Sequence, residues 1–271
     1  MSTVADHYTR GDLLERVDRA LAEAGLDPDH LAPEQLAPLE DFHTLGRLAT
    51  TSLAEVAAIS GDDRVLDVGS GIGGPARFLA QHFGCEVVGI DLTQELVDVG
   101  VELTRRVGLD DRVTLVQGDA LEMPFDDGSF DVTWTQHVTM NIEDKATLYR
   151  QMRRVTRPGG RIAFFDIMGG PGRDVLYPVP WADDASVSFL EQPAQVRSWL
   201  EEAGYEIRQW NDLTASAVEF LKGMAAGSQA GPRPPLGPHV LTPNMPAKVE
   251  NLLRSWDEDR VVLIQCVGVA V

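Results

Sequence analysis

The residues best placed to do chemistry begin with Leu66-Asp67-Val68-Gly69-Ser70-Gly71-Ile72-Gly73-Gly74-Pro75. An apolar run leads into this stretch and a helical pattern leads out of it. Glycines there let the backbone turn tightly and approach a ligand closely. The helix that opens beyond them offers unpaired N–H groups, and Pro75 suits a first helical turn. Gly69, Gly71 and Gly74 satisfy G-x-G-x-x-G, and Asp91 stands 20 residues beyond Gly71. That is the spacing of a carboxylate that binds ribose hydroxyls. The pattern points to a nucleoside-containing cofactor without choosing among NAD, FAD and S-adenosylmethionine.

Three further features separate those cofactors. Asp67 precedes the first glycine by two residues, where a carboxylate suits the ammonium of a methionine moiety and would repel a pyrophosphate. Gly118-Asp119-Ala120-Leu121-Glu122-Met123-Pro124-Phe125 sets the carboxylate of Asp119 beside apolar groups, as an adenine ring with its exocyclic amine requires. Arg157-Pro158-Gly159-Gly160 makes a sharp turn into another apolar run.

These residues need elements to position them. Short apolar runs at 65–68, 87–90, 113–116, 130–135 and 161–167 alternate with helical patterns at 73–83, 93–107 and 143–156. This alternation predicts a parallel sheet covered by helices on both faces, with ligands at the strand carboxyl ends. Helices are also expected at 11–24 and 46–59, separated by a connector that Pro28, Pro33 and Pro38 punctuate. Towards the end the pattern predicts helices at 193–203, 214–226 and 249–256, strands at 205–210 and 260–271, and a Pro- and Gly-rich loop at 231–246. Residues 1–60 are taken as an N-terminal helical cap, and 61–271 as the cofactor-binding domain.

The set L-D-V-G-S-G-I-G-G, G-I-D-L-T, G-D-A-L-E-M-P-F-D-D-G-S-F-D and R-P-G-G, in this order, resembles class I S-adenosylmethionine-dependent methyltransferases. Gln136 to Lys145 and Tyr177-Pro178-Val179-Pro180-Trp181 resemble a small-molecule branch. That branch is similar to sarcosine/dimethylglycine and phosphoethanolamine N-methyltransferases, tocopherol and sterol C-methyltransferases, and sugar O-methyltransferases. The resemblance implies an α/β, Rossmann-like sheet of seven strands, mostly parallel with the last antiparallel, and a long insertion before that last strand. It implies S-adenosylmethionine as methyl donor and S-adenosylhomocysteine as product. By the same resemblance Asp67, Gly69 and Gly71, with Ser70 and Gly73 in the same loop, hold the methionine end. Asp91 accepts from the ribose, Leu92 lies by the adenine, Asp119 and Ala120 bind its edge and face, and Gln136 approaches the cofactor backbone. Asp41 to Gly46 resembles the family's H-x-G segment, with one extra residue between His43 and Gly46.

Methyl transfer to a small molecule is the expected reaction, with an amine nitrogen favoured on resemblance. Alternatives are a carbon or oxygen of an isoprenoid, polyketide or sugar metabolite, an NAD(P)-dependent oxidoreductase, and a non-catalytic binding module. In-line displacement asks the protein chiefly to align the reactants, worth up to about 7–11 kcal/mol in well-oriented cases. A hydroxyl acceptor also asks for a general base. His137 is the first candidate for that base and His43 the second. Met140, Tyr177 and Trp181 are candidates to line the acceptor pocket, walled by the cap, 168–192 and 211–259, and Asp183 and Asp184 could meet a cationic amine.

Composition narrows the partners. A formal charge of −19 repels nucleic acid and anionic membranes. Arg150, Arg153, Arg154 and Arg157 read as a solvated helix face. No apolar run is long enough to span a bilayer, and the N-terminus does not read as a secretory signal, so a cytoplasmic monomer or homodimer is expected. Cys85 and Cys266 sit in apolar runs as buried hydrophobes, and the six histidines show no metal spacing.

Overall fold

The computed structural model describes residues 4–9, 11–228 and 234–271. Its centre is a seven-stranded sheet of order β3-β2-β1-β4-β5-β7-β6. The strands are β1 (Arg64–Val68), β2 (Glu86–Asp91), β3 (Val113–Gln117), β4 (Phe130–Gln136), β5 (Thr156–Gly169), β6 (Tyr205–Asp212) and β7 (Val261–Ala270). Neighbours from β3 through β5 run parallel, while β7 is antiparallel to both β5 and β6. The strand order reverses at β1 and β4, the place where open α/β sheets bind ligands.

Helices cover both faces: α1 (Val4–Tyr8), α2 (Leu13–Glu23), α3 (Pro33–Glu40), α4 (Arg47–Val56), α5 (Gly74–Phe83), α6 (Gln94–Arg106), α7 (Lys145–Val155), α8 (Pro193–Ala203), α9 (Thr214–Ser228) and α10 (Met245–Asp257). One core, around Val65, Leu79, Trp134 and Phe165, lies between the sheet and α4, α5, α9 and α10. A second, around Leu66, Leu148, Met152 and Phe164, lies beneath α7 and α8, and a third, around Leu21, Leu36 and Leu103, joins α2, α3 and α6. The central strands are buried on both faces, which is why they read as unbroken apolar runs. No helix among the described residues is long and apolar enough to cross a membrane.

The structure departs from the sequence expectation in several places. The proline-punctuated connector contains a helix, α3. Pro33 occupies its first turn, where a missing N–H costs nothing, and Leu36 and Leu39 are fully buried. Pro38 removes one internal hydrogen bond, which that burial outweighs. β5 begins at Thr156, so Arg157 to Gly160 belong to the strand, with a register shift opposite Phe130 and Val132. α10 starts at Met245, before the expected 249. Of the expected loop at 231–246, residues 231–233 lie outside the described residues, and 238–240 form a 3-10 turn.

The arginines at 150–157 do more than face solvent. Arg153 donates to the carbonyls of Gly204 and Val271, Arg154 to Met123 and Phe125 carbonyls and to Asp127, and Arg157 to Asp131. Both cysteines are buried and free, and burial pushes the Cys85 thiol up to about 11.

Candidate active site

A cavity opens over the carboxyl ends of β1, β2 and β4. Its floor is the glycine loop after β1. Gly69 stands at φ +75° and Gly71 at φ +53°, backbone that L side chains avoid. A Cβ on Gly69 would collide with Val138, whereas one on Gly71 would meet nothing within 4 Å and project into open space. The two glycines thus serve different ends: Gly69 allows close packing and Gly71 keeps the cavity clear. The loop is tied to β2 through the Gly69 and Ser70 amides, which donate to the Ile90 carbonyl at 2.8 and 3.1 Å. Asp91 braces it further, accepting the Gly71 amide at 2.8 Å and the Thr93 amide at 2.9 Å.

Polar groups without partners face this space. Asp67 is 2% exposed and its Oδ2 has no hydrogen bond. Burial, reinforced by the Asp91 charge, pushes its carboxyl up to about 7. Such a group calls for a cation, which the ammonium of the methionine moiety provides and a pyrophosphate does not. The Ser70 Oγ is also unpartnered. Gln136 Oε1 accepts from Trp134 Nε1 and Thr50 Oγ1, both at 3.2 Å, so its amide is oriented and its Nε2 is left as an unused donor. Leu92 is 44% exposed at the rim, an apolar surface that a flat ring would cover, and Asp119 and Ala120 stand near it. These features fit S-adenosylmethionine. Gly73 alone of the expected cofactor residues is absent from the wall; it caps α5 at φ +83°.

The two histidines come together on the other side, with ring centroids 6.1 Å apart. His43 Nε2 lies 2.9 Å from both the Gly46 carbonyl and Thr50 Oγ1. Since the carbonyl only accepts, Nε2 carries the proton, and the chain continues from the Thr50 hydroxyl to Gln136. Burial lowers His43 to about 4. His137 stands at φ +54° and stacks on Phe165 at 5.3 Å with 7° between the rings. Its Nε2 has no partner, and burial, then His43, hold it well below the ordinary histidine value. Both imidazoles are therefore neutral at physiological pH.

The expected acceptor residues lie elsewhere. Met140 and Trp181 are buried at 1% and 3% exposure in the core, away from the cavity. The Trp181 indole N–H is taken by Ser188 Oγ at 2.9 Å. Tyr177 lines a separate depression beside Arg173 and Ser188. Asp183 pairs with the buried Lys248 at 2.9 Å. The turn residue that does face the cavity is Asn141, whose Oδ1 accepts from Tyr8 at 3.2 Å while its Nδ2 donates to the Trp181 and Val187 carbonyls. Val4, Tyr8, Glu40, Phe42, Leu241 and Thr242 also line the wall; of these only Phe42 lies in a motif-like segment, Asp41 to Gly46. Glu40 is committed to a buried ion pair with Arg77, which joins α3 to the helix after the glycine loop.

Comparison with known proteins agrees with this geometry. The methyltransferase-domain family matches residues 66–164. Methyltransferase GfsG of Streptomyces halstedii is 31% identical over 221 residues, covering 78% of each protein. The glycine/sarcosine/dimethylglycine N-methyltransferase of Actinopolyspora halophila is 29% identical over 177 residues, 65% of this chain and 31% of that protein. The crystal structure of geranyl diphosphate C-methyltransferase from Streptomyces coelicolor A3(2), with Mg2+, geranyl diphosphate and S-adenosylhomocysteine, superposes with a TM-score of 0.67 at 19% identity, covering 83% of this chain and 80% of that one. Two of these proteins are named for different acceptor atoms, nitrogen and carbon. The chain belongs to the S-adenosylmethionine-dependent methyltransferases.

Proposed function

We propose that this methyltransferase acts on a hydroxyl of an uncharged, largely apolar small molecule, with His137 as general base. The observation that carries this reading is the His137 imidazole: neutral, set in the cavity wall, its Nε2 without a partner. Such a group can take the proton that a hydroxyl must lose as it attacks, a contribution of about 10²–10⁴-fold. The amine nitrogen favoured by resemblance finds less support. A cationic amine would want a carboxylate on the acceptor side, and there Glu40 is paired with Arg77 and Asp183 with Lys248. No lysine or arginine is among the described residues that line the cavity, so an anionic acceptor would also lack a counter-charge. Val4, Phe42, Ile142 and Leu241 favour apolar contact instead.

Bound at the glycine loop, S-adenosylmethionine supplies an electrophilic methyl group. Asp67, Ser70 and Gly71 would hold its methionine part, Asp91 the ribose, Leu92, Asp119 and Ala120 the adenine, and Gln136 the backbone through Nε2. α1 and the end of α3 with Phe42 and His43 would cover the acceptor and exclude water, with His43 orienting Thr50 and Gln136 and Tyr8 setting Asn141. Incubation with isotope-labelled S-adenosylmethionine and a metabolite extract, followed by mass spectrometry, tests the reading. An O-methylated neutral product is expected; an N- or C-methylated product, or a methylated product that carries a phosphate, would overturn it.

A further inference from the structure

Beneath the turn that carries His137 lies a buried polar cluster outside the cavity wall. Asp166, on β5, is fully buried. Its Oδ2 accepts the Thr139 amide at 3.0 Å, and its Oδ1 has no partner. Thr139 opens the 3-10 turn 139–141, two residues beyond His137. Tyr149 of α7 lies close by with its hydroxyl buried and unpartnered. Lys145, also on α7, closes the far end of the turn by donating to the Ile142 and Phe189 carbonyls.

The turn needs such anchoring. A non-glycine residue at φ +54° sits in sparsely populated backbone, at a cost of roughly 1–3 kcal/mol that the surroundings must offset. Two successive residues of β5 grip it. Phe165 accepts the His137 amide at 2.9 Å and stacks on the imidazole. Asp166, pointing to the opposite face of the strand, takes the amide of Thr139. We infer that Asp166 is a positioning residue for His137: its carboxylate anchors the turn and so sets where the imidazole stands in the cavity wall. The catalytic consequence rests on His137 being the base; the anchoring does not.

The anchor should respond to pH. Burial pushes the Asp166 carboxyl up to about 6, against the lowering influence of Thr139 and of the Lys145 ammonium. The charged and titratable groups facing the cluster are Lys145 and Tyr149 from α7, Cys266 from β7, and Glu143 and Glu191 around Lys145. His43 titrates at about 4 and His137 is held well below the ordinary histidine value, while Asp67 in the same cavity titrates at about 7, so loss of the step in Asp166→Asn is what assigns it to Asp166.

Nuclear magnetic resonance of histidine-labelled full-length protein, with the His137 ring signals assigned through His137→Gln, provides the test. The wild type is expected to show a step in the His137 signals near pH 6, and Asp166→Asn to lack it while remaining folded. At neutral pH, Asp166→Leu is expected to move or broaden those signals; if that variant does not fold, Asp166→Asn decides. Persistence of the step in Asp166→Asn, or its absence from the wild type, overturns the proposal. A role confined to stability would lower the melting temperature of Asp166→Asn at neutral pH without changing the step. In Asp166→Leu, displaced His137 signals with undiminished methyl transfer support the anchor and overturn the reading of His137 as base.

Discussion

Asp91 reaches Gly71 across 20 residues of chain, whereas Tyr8 reaches Asn141 across 133. The contrast runs through the cavity. On the cofactor side each group stands at the end of a strand or in the loop beside it; the glycine loop is held by β2, and only Gln136 takes a distant partner, Thr50 of α4. On the acceptor side the wall is assembled from α1, α3, the turn after β4 and the segment before α10, elements that meet only in the folded protein. The first side depends on backbone geometry that short sequence dictates. The second depends on long-range packing, which lets one cofactor platform serve different acceptors. If this division is sound, substitutions on one side should leave the other largely intact.

The largest separation is expected from His137→Gln. Loss of the base should lower turnover by about 10²–10⁴-fold, while calorimetric affinity for S-adenosylhomocysteine stays unchanged. Equal loss of both would erase the boundary between the two sides. Gly69→Ala should do the reverse of a clean separation, because its Cβ would strike Val138 at the junction. Left-handed strain of roughly 1–2 kcal/mol and overpacking of roughly 1–3 kcal/mol should lower thermal stability and both activities together. Gly71→Ala carries the same backbone strain without a collision, so it should cost little in packing yet impair cofactor binding. Similar melting temperatures for the two variants would contradict the different functions assigned to these glycines.

The same division explains what could be read before the structure was known. The glycine loop, Asp67, Asp91 and Gly118 to Ala120 were legible because turn chemistry and strand ends are local properties, and all seven strands followed from the residue pattern. Only the antiparallel direction of β7 came from resemblance. For the acceptor wall only the segments were legible, the cap and 211–259; that Tyr8, Glu40, Phe42, Leu241 and Thr242 are the residues within them that line the cavity depends on packing that no local spacing records. Met140 and Trp181 were singled out by resemblance. Both lie in the stretches that resemble the family, but their side chains turn into the core, and it is Asn141 and His137 that face the cavity. α3 was hidden by prolines whose position in a short helix makes them tolerable.

On the cofactor side, Asp91→Ala should weaken S-adenosylhomocysteine binding by about 1.5–3 kcal/mol, the scale of charge-assisted hydrogen bonds. It should also lower stability, because the Gly71 and Thr93 amides lose their acceptor. Unchanged affinity would refute its assignment to the ribose. Asp67→Asn should weaken binding too but move stability the other way. The folded carboxyl titrates at about 7 against an ordinary 3.8. Its favourable contribution is therefore present below 3.8 and lost as pH rises through 7. The unliganded variant should consequently melt higher than the wild type at pH above 7, with the gap closing towards pH 4. His43, lowered to about 4, works in the opposite sense, favouring the fold above its ordinary value and losing that contribution as pH falls through 4. Only the difference between wild type and Asp67→Asn isolates Asp67, and a variant that melts lower at every pH would show that the carboxylate is already compensated.

Tyr8→Phe should have the smallest effect and bears most directly on the acceptor side. The phenol donates to Asn141 Oδ1 at 3.2 Å, and Asn141 in turn holds the Trp181 and Val187 carbonyls. Burial and the Asp91 charge keep the phenol protonated, well above its ordinary value, so it acts as a donor and not as a base. Removing one such hydrogen bond costs about 0.5–1.5 kcal/mol. Because α1 is joined to the β4 turn through this contact, the loss should be felt as a raised KM for the acceptor with turnover and S-adenosylhomocysteine affinity nearly unchanged. A fall in turnover comparable to that of His137→Gln would mean that Tyr8 itself meets the reacting atoms, and the acceptor wall would then have to be drawn one helix closer to the chemistry.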